Sequence, residues 1–272
     1  QFSGNKFFLG VANGLDALFL SLTALGLREG DEVVVPANTY IATWLAVSHT
    51  KASVVPIEVN PLTFNMDLNL LESKITSKTK AIMPVHLYGN PVQIDEIEPI
   101  AKKYNLHIVV DCAQSHGCKI SGQSVGKYDS INCYSFFPTK NLGCFGDGGG
   151  IGLNDKSIYY KLKSLRNYGS SIKYYNDHQG YNSRLDPIQA AFLSIELKRL
   201  DSDTLIRKKI ARRYIDEINN DSIELPNYQY FSNSVWHIFP IMSENRDLLI
   251  TYLKNNGIGT IIHYPIPPHL SR

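Results

Sequence analysis

Apolar residues first recur at helical spacing from Leu15, through Leu18, Phe19, Leu22 and Leu25. Asn13 stands where an N-cap belongs, Asp16 occupies the capping-box position, and Gly26 is a stop signal, so the spacing predicts a helix. A regular alternation follows. Glu32 to Pro36 reads as a strand, Tyr40 to His49 as a helix and Ser53 to Val59 as a strand. Leu68 to Ile75 reads as a short helix, Lys80 to Val85 as a strand, Ile94 to Tyr104 as a helix and Leu106 to Val110 as a strand. Val- and Ile-rich strands separated by helices predict βαβ units and a mostly parallel sheet buried on both faces. The apolar run Ile131 to Tyr134 leads into a glycine-rich turn. Beyond Gly152 the pattern turns helical, at Asp155–Leu165, Pro187–Leu200 and Leu205–Ile218. Pro226 opens a second unit with expected strands at Trp236–Met242 and Ile258–Ile262 flanking a helix at Arg246–Asn255.

Composition narrows the partners. The chain has 272 residues, 43% of them hydrophobic and 19% charged, enough for one large or two moderate domains. A net charge of +2 supplies no basic field for nucleic acid or an anionic membrane surface. No apolar run approaches the roughly 20 residues of a membrane span, and Gln1–Leu9 lacks the apolar region of a secretory signal. The four cysteines, Cys112, Cys118, Cys133 and Cys144, form no C-x-x-C pair and read as free thiols in a reducing cytoplasm. Cys112, His116 and Cys118 fit no zinc spacing, so no metal is expected.

Candidate chemistry gathers at strand ends, where parallel sheets place their working residues. Ser135-Phe136-Phe137-Pro138-Thr139-Lys140-Asn141-Leu142-Gly143 delivers one lysine to a tight turn. A lysine held out of water has a lowered pKa and forms Schiff bases, although most lysines are simply solvated. Asp111 closes the strand Leu106–Val110 and wants a cationic partner; a capping aspartate is the plainer reading. Gly14 precedes a helix N-terminus and suits an anion, or marks an ordinary capped helix. Tyr40 either stacks on a planar ring or fills the core. The polar, aromatic loop Arg166–Arg184 is long for an idle connection. Taken together, Lys140, Asp111, Gln114, Tyr40 and the Gly14 turn suit one cofactor, pyridoxal 5'-phosphate. It needs an amine, a carboxylate for its ring nitrogen, a stacking ring and a phosphate cup.

The chain resembles the sugar aminotransferases of the DegT/DnrJ/EryC1/StrS family. The matching stretches are Asn13–Leu18, Gly30–Val33, Pro84–Gly89, Asp111–Gly117, Ser135–Gly149, Arg166–Gly169, Gly180–Leu185 and His263–Pro265. The resemblance implies a fold-type I, aspartate aminotransferase-like α/β protein. Residues 1–200 would form a three-layer α/β/α large domain that binds the cofactor, and 201–272 part of a smaller α+β domain. Relatives extend before Gly4 and beyond Leu270, so the smaller domain is expected to be incomplete.

The resemblance also implies roles. Lys140 would bond the cofactor aldehyde and shuttle the proton, with pyridoxamine phosphate as the half-way form. Asp111 would pair with the ring nitrogen, Gln114 with the phenolic oxygen, and Tyr40 would stack on the ring. Gly14, the amide of Leu15 and Ser135 would hold the phosphate, joined by Asn182 of a neighbouring subunit, which implies a homodimer with shared sites. Leu15 stands where many relatives have Thr, so a hydroxyl contact is lost. Glutamate would be the donor and a dTDP-3-keto-6-deoxyhexose the acceptor, in the making of O-antigen or S-layer sugars. A C4-keto sugar and a non-catalytic regulatory role are the alternatives. His86, Tyr181, Arg184 and His263 are candidate substrate contacts, each equally readable as structural. Related 3,4-ketohexose dehydratases have His at the lysine position, and Lys140 argues against that activity.

Overall fold

The structure is a computed structural model that describes residues 2–271; Gln1 and Arg272 lie outside the described residues. In chain order the first half comprises β1 (Phe7–Val11), α1 (Gly14–Leu25), β2 (Glu32–Pro36), α2 (Ile41–His49), β3 (Ser53–Ile57) and β4 (Thr79–Ile82). Then come α3 (Ile94–Tyr104), β5 (His107–Asp111), the small hairpin β6 (Lys119–Ile120) and β7 (Gln123–Ser124), β8 (Ile131–Ser135) and β9 (Gly149–Leu153). The remainder comprises α4 (Lys156–Leu165), the hairpin β10 (Ser170–Ile172) and β11 (Tyr175–Asn176), α5 (Pro187–Glu196), α6 (Leu200–Glu217), α7 (Tyr228–Phe231) and α8 (Arg246–Asn255).

Seven strands form one sheet in the order β1-β9-β8-β5-β4-β2-β3. The pairs from β3 through β8 are parallel, and β9 alone runs against its neighbours β8 and β1. Strand periodicity divides the core between two layers. Val33 and Val35 face one layer with Ala17, Leu22, Ala46 and Leu162 from α1, α2 and α4. Val34, Ile82 and Val110 face the other with Ile94 and Ile97 of α3 and Leu193 of α5. Each Val, Leu or Ile so removed from water contributes about 1.5–3 kcal/mol, and a one-residue register slip would exchange the side chains offered to the two layers.

The caps act as the spacing predicts. Asn13 Oδ1 accepts from the N–H of Asp16 at 2.8 Å, and Gly26 ends α1 at φ 87°. Other expectations are corrected. Leu68–Ile75 is a pair of 3₁₀ turns, because only Leu71 is deeply buried there and Asp67 and Ser73 bond to local backbone. Trp236–Met242 is not a strand: Trp236 adopts φ 50° and its ring stacks in an aromatic cluster. Its alternation serves that cluster, and only Met242 makes a bridge, to Glu224. Ile258–Ile262 lies outside any strand, with Ile258 and Ile261 exposed. Conversely, β1 and β9 were not expected. The glycines of β9 are strand residues because neighbouring side chains fill their space: Phe8 lies over Gly150 and Asn5 over Gly152.

Candidate active site

Parallel pairing brings the carboxyl ends of β2, β5 and β8 to one edge of the sheet. The antiparallel β9 begins there, with Gly149 paired to both Ser135 and Val11. A Cβ at Gly149 would lie 2.2 Å from the carbonyl oxygen of Asn13. Its absence lets the turn entering α1 close over the sheet edge. Gly14 then sits against Ser135, where an added Cβ would come 2.7 Å from the serine Cβ. The result is a bare cradle of helix N-terminal amides and one hydroxyl, a site for a doubly charged anion.

Asp111, at the end of β5, is buried and fully engaged. Oδ2 accepts from Thr43 Oγ1 at 2.9 Å and Oδ1 from the N–H of Ala113 at 3.0 Å. Thr43 is itself held by Thr39 at 2.8 Å. Burial pushes the Asp111 carboxyl above the usual carboxylate range, opposed by Ala113, Thr43 and the charge of Lys140. Lys140 shows the complementary balance: burial pulls its ammonium down and Asp111 draws it back up. An acid and an amine share one poorly solvated space, each supplying part of the other's charge compensation.

Gln114 is buried beside them. Its Oε1 accepts from the N–H of Tyr88 at 2.6 Å and its Nε2 donates to the Tyr264 hydroxyl at 3.2 Å. Tyr40, the N-cap of α2, is 56% exposed, which excludes a core role. Its ring centroid lies 5.7 Å from that of Tyr264, inclined at 46°. Tyr88 Oη donates to the carbonyl of His263 at 2.7 Å, so the C-terminal segment is tied to the same wall.

The remaining candidates have contacts of their own, and the His86 N–H donates to the Asp111 carbonyl at 3.1 Å. His86 is buried, its Nδ1 accepting from the N–H of Val92 at 2.9 Å, and burial holds its pKa at about 3. Tyr181 packs edge-on against Phe19 at 5.0 Å, and the Arg184 guanidinium lies 5.7 Å from the Tyr168 ring. Asn182 is exposed and its backbone pairs with Asn167, while its neighbour Ser183 accepts from the N–H of Ala12 at 3.1 Å. A cavity of about 500 Å³ lies elsewhere, lined by Phe8, His116, Tyr134, Phe136 and Leu193, with neither Lys140 nor Asp111 in its wall. The pattern of the sequence did not single out Thr43, Asn141, Gly149, His237 or Tyr264. Thr39 and Thr43, four apart across the start of a helix, were the one local signal.

The residues fit pyridoxal phosphate. A cradle that a single Cβ would fill suits a phosphate, a buried carboxylate suits the ring nitrogen, and a desolvated amine suits the aldehyde. Fold and site define a fold-type I pyridoxal-phosphate transferase. The sequence model of the DegT/DnrJ/EryC1/StrS aminotransferase family matches residues 1–272, and the chain belongs to that family. It is 46% identical over 97% of its length, and 70% of the relative's, to a dTDP-3-amino-3,4,6-trideoxy-alpha-D-glucose transaminase of Streptomyces venezuelae. It is 49% identical over 99% of its length, and 74% of the relative's, to a dTDP-3-amino-3,6-dideoxy-alpha-D-galactopyranose transaminase of Aneurinibacillus thermoaerophilus. The crystal structure of S. venezuelae DesV superimposes with a TM-score of 0.95 at 44% identity, covering 99% of this chain and 73% of DesV. NtdA of Bacillus subtilis, solved with bound pyridoxamine phosphate, gives 0.93 at 34% identity, covering 99% of this chain and 63% of NtdA.

Proposed function

We propose that the protein transfers an amino group from glutamate to the C3 carbonyl of a dTDP-3-keto-6-deoxyhexose, yielding a dTDP-3-amino-3,6-dideoxyhexose. The observation that carries the reaction class is the meeting of Lys140 and Asp111 at neighbouring strand ends beside the bare Gly14–Ser135 cradle. The names of the two relatives, both 3-amino sugar transaminases, support the choice of C3.

When bound, pyridoxal phosphate supplies an aldehyde for the donor's nitrogen and a ring that takes up electron density as the donor's α-proton leaves. Gly14, the amide of Leu15 and the hydroxyl of Ser135 would hold the phosphate. Tyr40 would lie against the ring, and Gln114 would serve its phenolic oxygen. Asp111, fixed by Thr43 and Ala113, would keep a proton on the ring nitrogen. Lys140 would hold the cofactor through its amine and would move the donor's α-proton, as a base and then as an acid. Desolvation weakens the amine's hold on a proton, so more of it stands neutral, the form that can act as a base.

The same reading makes the protein a homodimer in which Asn182 of each subunit completes the other's phosphate site. It makes residues 1–200 the cofactor-binding domain and 201–272 part of the smaller one. His86, Tyr181, Arg184 and His263 remain the substrate contacts to be tested, and the product enters cell-surface polysaccharide. The experiment is amino transfer to dTDP-3-keto- and dTDP-4-keto-6-deoxyglucose, with the new nitrogen located by NMR. Nitrogen on C3 is expected, and nitrogen on C4 overturns the regiochemistry. A cofactor absorbance band unmoved by every amino donor overturns the enzyme itself.

A further inference from the structure

The lysine-bearing turn is anchored through the residue next to the lysine. Asn141 Nδ2 donates to the carbonyl of Val235 at 3.0 Å, and Asn141 Oδ1 lies 2.9 Å from Nδ1 of His237. The first contact orients the amide, so Oδ1 is the atom presented to the imidazole. An amide oxygen only accepts, so His237 Nδ1 carries the proton and Nε2 keeps a lone pair. Burial keeps this imidazole neutral, its pKa held at about 3, with the nearby charges of Lys140 and Arg207 acting the same way.

Trp236 makes the double contact possible. Its φ of 50° is left-handed, rare for a bulky residue. The ring holds that conformation, stacked 5.2 Å from Phe231 and 5.4 Å from Phe239. On either side, Val235 N–H donates to the carbonyl of Gly89 and His237 N–H to that of Tyr88. Tyr88 N–H in turn donates to Gln114, in the loop that follows Asp111. A closed circuit therefore joins the lysine's turn to the acid's loop. Backbone outliers of this kind persist where the surroundings over-determine them, and they gather at working sites.

We propose that Asn141 and His237 are positioning residues for amino transfer: the pair clamps the Lys140 turn to residues 235–237 and so fixes the amine relative to Asp111. The inference rests on the transaminase reading and deepens it.

The test uses the full-length protein with Asn141→Ala, His237→Gln and His237→Phe. Reductive methylation of Lys140 in the cofactor-free protein, followed by peptide mass spectrometry across pH, reports the ionisation of the amine without turnover. In Asn141→Ala the midpoint is expected to rise by about one pH unit as water reaches the loosened turn. The single-turnover rate with glutamate is expected to fall about 100-fold, with the donor KM within about threefold of wild type. His237→Gln keeps an N–H donor and is expected to react about tenfold faster than His237→Phe. A folded, cofactor-loaded Asn141→Ala protein with wild-type midpoint and rate overturns the clamp. Should that variant fail to fold, equal rates for the two His237 variants overturn it. Absence of amino transfer by the wild type would sink the transaminase reading, while the labelling midpoints would still decide the clamp.

Discussion

Residues 7–200 and residues 201–271 are held together by different means. In the first region the strands from β2 through β8 bury side chains towards both layers, with Val33 and Val34 facing opposite ways. In the second, α8 buries no residue, and α6 beyond its first residue buries only Ala211. What order the second region has centres on Phe231 and Trp236, with Phe239 packed against them. A doubly buried sheet can hold Asp111, at the end of β5, out of water, and it carries the turn of Lys140 beyond the end of β8. The later region meets the first through backbone bonds at Tyr88 and Gly89 and through the side chains of Tyr88, Gln114 and Asn141. The proposed chemistry falls on the more deeply buried part, with the less buried part beside it.

The strongest way to break this contrast is to remove the amine from the more deeply buried part. Lys140→Ala should lower amino transfer by about 10⁴-fold, the upper range for a lost proton-transfer group. Borohydride reduction in the presence of the cofactor should then leave no label on that peptide. Next is the close approach behind the phosphate cradle. Gly149→Ala drives a Cβ into the Asn13 carbonyl. It should cost about 1–3 kcal/mol in urea unfolding and weaken cofactor binding by about 10–100-fold in a fluorescence titration, since displaced N–H donors are charge-assisted.

A milder effect separates packing from chemistry. Buried His116 packs against Tyr134 and Phe136, and burial holds its pKa at about 3. The unfolded chain takes up a proton below about 6.5 that the folded chain refuses until much lower pH. The neutral imidazole's contribution is therefore present above that value and is lost as pH falls towards 3. His116→Phe, between Tyr134 and Phe136, should flatten the acid limb of stability by about 1.4 kcal/mol per pH unit. The smallest effect belongs to the second region. Arg213 pairs with Glu217 on exposed α6, and Arg213→Ala should leave the melting temperature and amino transfer unchanged. A large loss there would refute the contrast.

Much of the first region was legible because helix and strand periods differ and caps are local. The bounds of β2 and α3 coincide with the pattern, and Asn13, Asp155 and Gly26 stand at helix ends as caps. The strands expected at Trp236–Met242 and Ile258–Ile262 fail because alternation signals half-burial, not the presence of a partner to pair with. β9 escaped notice for the opposite reason. Its glycines are given their surroundings by Phe8 and Asn5, from a strand and a turn far away in the chain.

The order of residues was enough to point to the reaction's proposed ingredients, because an amine, a carboxylate, a ring and a bare helix start are recognisable by type and spacing. Which neighbours tune those groups was decided only in three dimensions. Thr43 reaches Asp111 across two strand ends, and Tyr264 reaches Gln114 from the far end of the chain. Asn141 meets His237 through a left-handed turn at Trp236. Hydrogen bonds and desolvation depend on distances of a few ångströms, and such distances between remote residues exist only after the sheet has closed its order.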